Sequence, residues 1–357
     1  MIYRKCRKRI FSYTLKYYLS DNIGLSVFIP VLGFTILVLF PAAIYSCSPA
    51  DHMQEATEEK TVLRLMSRSD PISQKMETID ILTFNDDKMQ KLDAYQRAEL
   101  SQCSVIRAAS TAGQKIMVVL LNSQRDRYDW ADINSYCSLE DICVNLEKEI
   151  PGREAMSGEH RGKAGNPANV QMERLASEIV LRSINCDFKG KSYAGHVLED
   201  AKIYLTNVNA EAPLVNSGPY IPKRIVNAGR LDMDDVAGFE EPGMVFHEFE
   251  YALGETVRKP DIRLRCYPNE TPEEVPGAPF TRLVVEGKVD GRTYYWPVNI
   301  NRDGSGDGIE RNKRYIFDIR ITRLGHTSAD IPIETDIAEI IMEIQAWEEK
   351  EEYGVRF

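Results

Sequence analysis

The sequence predicts an all-β protein with two tandem β-sandwich domains behind an N-terminal export segment. Short apolar runs of period two recur along most of the chain, and long helical patterns are rare. The first fifty residues differ in composition from the rest, being first basic and then apolar. A length of 357 residues suffices for about two domains.

The N-terminal segment has the pattern of a secretory signal, with a basic start and an apolar run over 23–40. Ile44 lies three positions before Cys47, and the small residue Ser46 directly precedes it, which resembles the lipobox of bacterial lipoproteins. We therefore predict a signal peptide over 1–46, with Cys47 as the diacylated N-terminus of the mature chain. The alternative is an uncleaved signal anchor, because about 18 apolar residues can just span a bilayer.

Charge and cysteine usage exclude several other classes. The formal net charge is -10, and the leader carries six basic residues against one acidic residue, so the exported part is more acidic still. Nucleic acid is therefore not an expected partner. The seven cysteines are scattered singly, without the spacing of a zinc ribbon or of a dense disulfide framework. We interpret most of them as small buried apolar residues.

The first part of the mature chain is predicted to be a polar tether over 47–60, followed by a β-sandwich over 61–167. Ile79 to Phe84 predicts a strand that stops at the turn-forming 85–87, and 115–122 is an apolar run typical of a strand buried on both faces. Ser138 is predicted to cap a short helix. Residues 151–169, rich in glycine, are predicted to form a domain boundary instead of an element.

The second sandwich is predicted over 168–357, where the β pattern is cleaner. Strands are expected at 201–206 and 262–266. Asp290-Gly291 between two apolar runs predicts a hairpin with a type I′ turn. Two late strands place alternating apolar residues on one face: Tyr315, Phe317, Ile319 and Ile321, then Ile340, Met342, Ile344 and Ala346.

No sequence motif predicts catalysis, a metal site or a cofactor. The Gly190-Lys191-Ser192 stretch lacks the first glycine of a phosphate-binding loop, and His247-Glu248 lacks the second histidine of a zinc protease. Residues 303–308 resemble a calcium loop, but Arg314 occupies the position of its acidic twelfth ligand. We interpret them as a solvated loop and leave a weak calcium site as the alternative.

Several stretches, taken in order, resemble the Bacteroidales fimbrial subunit family of FimB-type anchor lipoproteins, which are related to the type V pilins. The resemblance covers most of the mature chain and includes the lipobox. Its stretches are Ile81-Leu82-Thr83-Phe84-Asn85-Asp86-Asp87, Val118-Val119-Leu120-Leu121-Asn122-Ser123, Arg174-Leu175-Ala176-Ser177-Glu178-Ile179, Tyr315-Ile316-Phe317-Asp318-Ile319 and Ile344-Gln345-Ala346-Trp347.

The resemblance implies two transthyretin-like sandwiches and polymerisation by strand exchange, in which a donor strand fills the groove of a neighbouring subunit. Ile340, Met342, Ile344 and Ala346 are the candidate donor or pairing strand; the alternative is that they only complete their own sheet. In polymerising relatives, cleavage after an arginine in the first strand region opens the groove. Arg64 and Arg68 lie in a comparable place, and an anchor is expected to keep that strand.

The predicted function is an accessory fimbrial subunit, anchor or tip, without catalytic residues or cofactor. Its expected partners are other fimbrial subunits, the outer membrane through the lipid, and a host or bacterial surface receptor. A surface lipoprotein that binds glycan or another ligand is the alternative, with Tyr294, Tyr295 and Trp296 as sugar-stacking aromatics. A secreted hydrolase is a third hypothesis.

Overall fold

The computed structural model describes residues 58–66, 78–99, 105–124, 132–215, 223–302, 308–333 and 338–347. Every described residue belongs to one compact unit, Gln54–Phe357. The predicted signal peptide, Cys47 and Arg68 lie outside the described residues. Strands dominate the described part, which confirms the predicted all-β class.

The elements up to Arg174 form two sheets. They are β1 (Glu58–Met66), β2 (Thr78–Asn85), β3 (Leu92–Glu99), β4 (Val105–Thr111), β5 (Gln114–Leu121), α1 (Tyr136–Glu140), β6 (Cys143–Asn145), β7 (Met156–Lys163), β8 (Ala168–Gln171) and β9 (Glu173–Arg174). The first sheet has the order β4-β1-β8, with β1 antiparallel to β4 and parallel to β8. The second sheet has the order β3-β2-β5-β7-β9 and is antiparallel throughout.

The elements after Arg174 form two further large sheets. They are β10 (Ser177–Cys186), β11 (Glu199–Thr206), β12 (Val208–Asn209), β13 (Glu211–Pro213), β14 (Ile225–Val226), α2 (Met233–Ala237), β15 (Phe246–Glu248), β16 (Ile262–Cys266), β17 (Arg282–Val289), β18 (Arg292–Asn299), β19 (Lys313–Ile321) and β20 (Ala338–Ala346). The third sheet has the order β16-β10-β19-β20, and the fourth has the order β15-β11-β17-β18. Two small sheets, β12-β14 and β13-β6, complete the fold.

Alternation along the strands fills two apolar cores. Leu63 and Leu65 of β1 pack with Ile79 and Ile81 of β2 and with Met117 of β5 in one cluster. The opposite faces of β2 and β5 belong to a larger cluster, which also contains the inward side chains of the third and fourth sheets. Strand β5 is therefore buried on both faces, as its continuous apolar run predicts.

The best local prediction, the hairpin of β17 and β18, is confirmed. Arg292 pairs with Val289 at its start, and the connecting Asp290 and Gly291 have φ angles of 51° and 74°. Both central residues of a type I′ turn need positive φ, which an aspartate tolerates and a glycine adopts without strain.

The prediction that 151–169 contains no element is wrong, because β7 occupies 156–163 and pairs with β5 along its whole length. Gly158 within β7 does not form a turn; it allows the backbone at Gln171 to approach closely. A Cβ at this position would lie 2.5 Å from the backbone oxygen of Gln171. The change of sheets falls after β9, and the division into domains at residue 167 stays a prediction.

Two smaller expectations also differ from the structure. The residue that caps α1 is Ser135, whose hydroxyl accepts from the backbone N–H of Ser138. The Ser138 hydroxyl in turn accepts from the backbone N–H of Ser135, which completes a capping box. Strand β1 begins at Glu58, inside the predicted tether.

Candidate strand-exchange site

The last strand, β20, lies at the edge of the third sheet. It pairs antiparallel with β19 over nine residues, from Ile321 opposite Ala338 to Lys313 opposite Ala346. Among the described strands, none pairs with its outer edge. The predicted strand is thus present and completes its own sheet, while one row of backbone donors and acceptors stays open to a further strand.

The apolar side chains of β20 are only partly covered. Ile340 and Met342 pack against the larger core, whereas Ile344 on the same face is 43% exposed. Ile341 on the opposite face is 65% exposed. An edge strand with this pattern offers apolar groups on both faces, which suits pairing with another chain.

Two arginines fasten the outer face of β20 to the neighbouring strands. The guanidinium of Arg182 on β10 donates to Glu343 at 3.0 Å and to Asp318 on β19. This contact holds the pKa of Asp318 below its usual range. Arg320 on β19 likewise donates to Glu339 at 3.0 Å. These pairs are largely solvated, so each stabilises the strand only weakly.

The residue that follows β20, Trp347, is buried, with 4% of its surface exposed. Its backbone N–H donates to the carbonyl of Asn312 at 3.1 Å, and its own carbonyl accepts from Arg174 at 2.9 Å. The guanidinium carbons of Arg174 and Arg265 lie 4.8 Å and 5.2 Å from the indole ring. We call this pair of guanidiniums, together with Asn312, the Trp347 socket.

A buried ionic network holds one guanidinium of the socket, that of Arg265, in place. Arg265 on β16 donates to Glu154 at 3.1 Å and lies 3.2 Å from Glu178 on β10. Glu178, 1% exposed, also accepts from Arg314 on β19. Buried charges persist only when each carboxylate is paired with cations and hydrogen-bond donors, as these are. The network joins the loop before β7 to three strands of the third sheet.

Glu149, beside this network, is a buried carboxylate with a shifted pKa. Burial raises its pKa to about 7, although hydrogen bonds from the Tyr267 hydroxyl (2.7 Å) and the Ala155 N–H (3.0 Å) oppose the rise. The nearby Glu154 raises it further, and Arg265 lowers it. Glu149 therefore titrates close to neutral pH inside the fold.

The first strand, β1, lies in the middle of the first sheet. Leu63 and Leu65 face the smaller core, and Arg64 between them points outward and is exposed. The backbone of Arg64 lies between Val105 on β4 and Asn169 on β8. Cleavage after Arg64 therefore requires β1 to open locally. The structure does not bring β1 and β20 into one sheet.

The described residues give no support to a reactive centre. No group of three or more His, Cys, Asp or Glu side chains among them could hold a metal ion. Cys186 and Cys266 are buried, and burial raises the pKa of the Cys186 thiol to about 12, while Cys137 is exposed and Cys143 half-buried. Most of the calcium-like loop, residues 303–307, lies outside the described residues. In the part of the chain that is described, no helix could cross a membrane.

The aromatic residues proposed for sugar stacking are only partly available. Trp296 is fully buried, and its indole N–H donates to the carbonyl of Arg323. Tyr294 and Tyr295 are half-buried, and the backbone of Tyr295 pairs with His326. A separate cleft of about 300 Å³ beside β7 has a polar lining that includes Arg311, without an aromatic among its lining residues.

Several solved structures share this arrangement of strands. The structure matches a proposed cell adhesion protein from Parabacteroides distasonis with a TM-score of 0.62 and 15% identity, over 82% of this chain and 97% of that one. It matches the fimbrilin FimA of Porphyromonas gingivalis with a TM-score of 0.56 and 15% identity, over 81% and 97% of the two chains. The chain has the fold of Bacteroidales fimbrial proteins.

A third match with this fimbrial fold is the tip fimbrial protein Mfa3 of Porphyromonas gingivalis, determined with a C-terminal truncation. Its TM-score is 0.51 at 12% identity, over 82% of this chain and all of that one. Neither a family model nor a curated protein matches the sequence. The likeness is thus one of fold, since the identities are far too low to carry residue roles across.

Sequence reasoning missed the residues that fix the end of β20. Trp347 and Arg174 were noted only as members of stretches that resemble the fimbrial family, and Arg265 carried no local signal. The one available hint was a large aromatic residue directly after an amphipathic edge strand, where a polar turn residue is more usual.

Proposed function

We propose that this chain is an accessory subunit of a cell-surface fimbrium, which joins other subunits by β-strand pairing and contributes to adhesion. The observation that carries the proposal is the fold shared with FimA and Mfa3 across about four-fifths of the chain. The open edge of β20 supports it independently, because an unpaired edge with exposed apolar residues is a ready site for strand addition.

The proposed exchange uses β1 as the strand that leaves and β20 as the strand that enters. Loss of β1 would deprive β4 and β8 of their partner and uncover the pockets that Leu63 and Leu65 fill. Ile340, Met342, Ile344 and Ala346 of a neighbouring subunit, alternating along β20, would fill those pockets and restore the hydrogen bonds.

Processing after Arg64 or Arg68 would decide the position of the subunit in the fibre. A chain cut after Arg68 loses all of β1, and a chain cut after Arg64 loses the strand up to that residue; either can then accept a donor strand. An uncut chain keeps β1 paired on both sides and remains linked to Cys47 and its lipid. We propose the uncut form as the anchor, attached to the outer membrane through diacylated Cys47 after removal of residues 1–46.

The test is incorporation of truncated chains into fimbriae in the native bacterium. A variant that lacks 338–357 has lost β20 and should not enter the fibre, whereas a control that lacks only 348–357 keeps β20 and should. The double variant Ile340→Asn with Met342→Asn keeps the full chain length and should also fail to enter the fibre. It should still show the unfolding transition of a folded protein. Incorporation of both β20 variants at the wild-type level would contradict strand donation.

Fractionation of the same cells tests the anchor. Cys47→Ala should move the protein out of the membrane fraction, because the thioether to the lipid can no longer form. Membrane retention of this variant would favour an uncleaved signal anchor.

A further inference from the structure

The end of β20 is held differently from the rest of the strand. Along the strand itself, every side chain after the buried Ala338 is half-buried or exposed, and the two arginine contacts on its outer face are largely solvated. Trp347 is instead buried, with two guanidiniums over its indole ring and hydrogen bonds at both of its backbone groups. We propose that Trp347 is a latch that keeps β20 docked on its own subunit and thereby sets how readily the strand becomes available for exchange. This inference rests on the proposed function.

The contacts of Trp347 outweigh the other side-chain contacts of the strand. A desolvated guanidinium over an indole is among the stronger cation–π contacts, and here two are present. Exposed ion pairs such as Arg182 with Glu343 contribute little in water. Removal of Trp347 should therefore loosen β20 more than removal of either of its exposed ion pairs.

One guanidinium of the socket is held independently of the indole. Arg265 is already oriented by Glu154 and Glu178, so it does not need Trp347 to hold its position. Arg174 comes from β9 of the second sheet, whereas Arg265 and Asn312 belong to the third-sheet region. Because the socket combines groups from both regions, β20 is latched only when both are folded and in contact. A nascent or locally opened subunit would offer its strand, and a finished one would retain it.

Amide hydrogen exchange, measured by mass spectrometry on the full mature chain, tests the latch. In Trp347→Ala we expect the amides of β20 to exchange about 100-fold faster or more, since opening of this edge strand no longer breaks the buried contacts. Amides of β5, in the second sheet, should keep their wild-type rates. Ile341→Ala, on the same strand but 65% exposed, is the matched control and should change the β20 rates by less than about threefold.

Trp347→Phe provides a second variant should the alanine variant fold poorly. It keeps an aromatic ring but reduces the cation–π contact, so we expect β20 rates between those of the wild type and Trp347→Ala. Wild-type β20 rates in a folded Trp347 variant would overturn the latch. Equal acceleration in β5 would also overturn it, because Trp347 would then stabilise the whole fold.

The rate of fibre assembly from purified subunits separates the latch from the proposed function. If both hold, the variants with faster β20 exchange assemble faster than the wild type. Faster exchange with unchanged assembly would confirm the latch and contradict β20 as the donor strand. Faster assembly with unchanged exchange would overturn the latch alone.

Discussion

Arg265→Met should lower the free energy of unfolding by about 3–5 kcal/mol, the largest stability loss that we expect from a single side chain. Arg265 is the cation that Glu154 and Glu178 share, and both carboxylates are almost fully buried. Methionine fills most of the same space but leaves two buried carboxylates short of a positive partner. It also removes one of the two guanidiniums next to Trp347.

Urea unfolding measures this loss, and the same strand supplies its control. Arg263 lies two residues earlier on β16, is exposed, and pairs with Asp261 at 3.0 Å. Arg263→Met should cost less than about 1 kcal/mol, because an exposed ion pair stabilises weakly. Equal effects of the two substitutions would show that the buried network does not hold the third sheet to the loop before β7.

Glu149→Gln should remove a pH dependence of stability between about pH 4.5 and pH 7. The pKa of Glu149 is about 7 in the folded chain and near the ordinary value of 4.5 when unfolded. Between these values the folded state binds more protons than the unfolded state. The stability from this group is therefore fully present below about pH 4.5 and is lost as the pH rises through 7, a loss of about 3 kcal/mol.

The glutamine variant cannot ionise, so its stability should stay constant across this range and exceed that of the wild type at pH 8. Its amide can still accept from the Ala155 N–H and donate to the Tyr267 oxygen. Urea unfolding at several pH values measures the difference, with the exposed Glu248→Gln as control. A wild-type profile in Glu149→Gln would assign the pH dependence to another group.

Turn motifs and alternating apolar residues predicted much of this fold, because each such pattern depends only on neighbouring residues. The Asp290-Gly291 turn and the alternation of β19 and β20 each depend on a few consecutive positions. Strand β7 was missed because its glycines were interpreted as turn residues. The need for Gly158 comes from the approach of Gln171, which only the folded chain reveals.

The sequence predicted the strand of the candidate site, β20, but not the contacts that hold the end of this strand to the rest of the fold. Arg174 donates to a residue 173 positions later in the chain, and no spacing rule connects such a pair. Similarly, Glu154, Glu178 and Arg265 are ordinary charged residues in the sequence, and only folding buries them together. The sequence placed Arg64 correctly in the first strand. It did not predict that this strand is paired on both sides, because one of the two partners is the distant parallel strand β8.

Cross-linking within assembled fibres tests strand exchange most directly. Val105 on β4 is the exposed neighbour of Arg64, and Ile341 is the exposed residue of β20. With cysteines at both positions and a short thiol cross-linker, we expect mass spectrometry to find Ile341→Cys joined to Val105→Cys of another subunit in fibres only. In a second variant, cysteines replace Ile341 and Asp318, its partner on β19 of the same subunit. Fibres that give the 341–318 cross-link within one subunit in this variant, and no 341–105 cross-link between subunits in the first, would contradict the exchange of β20.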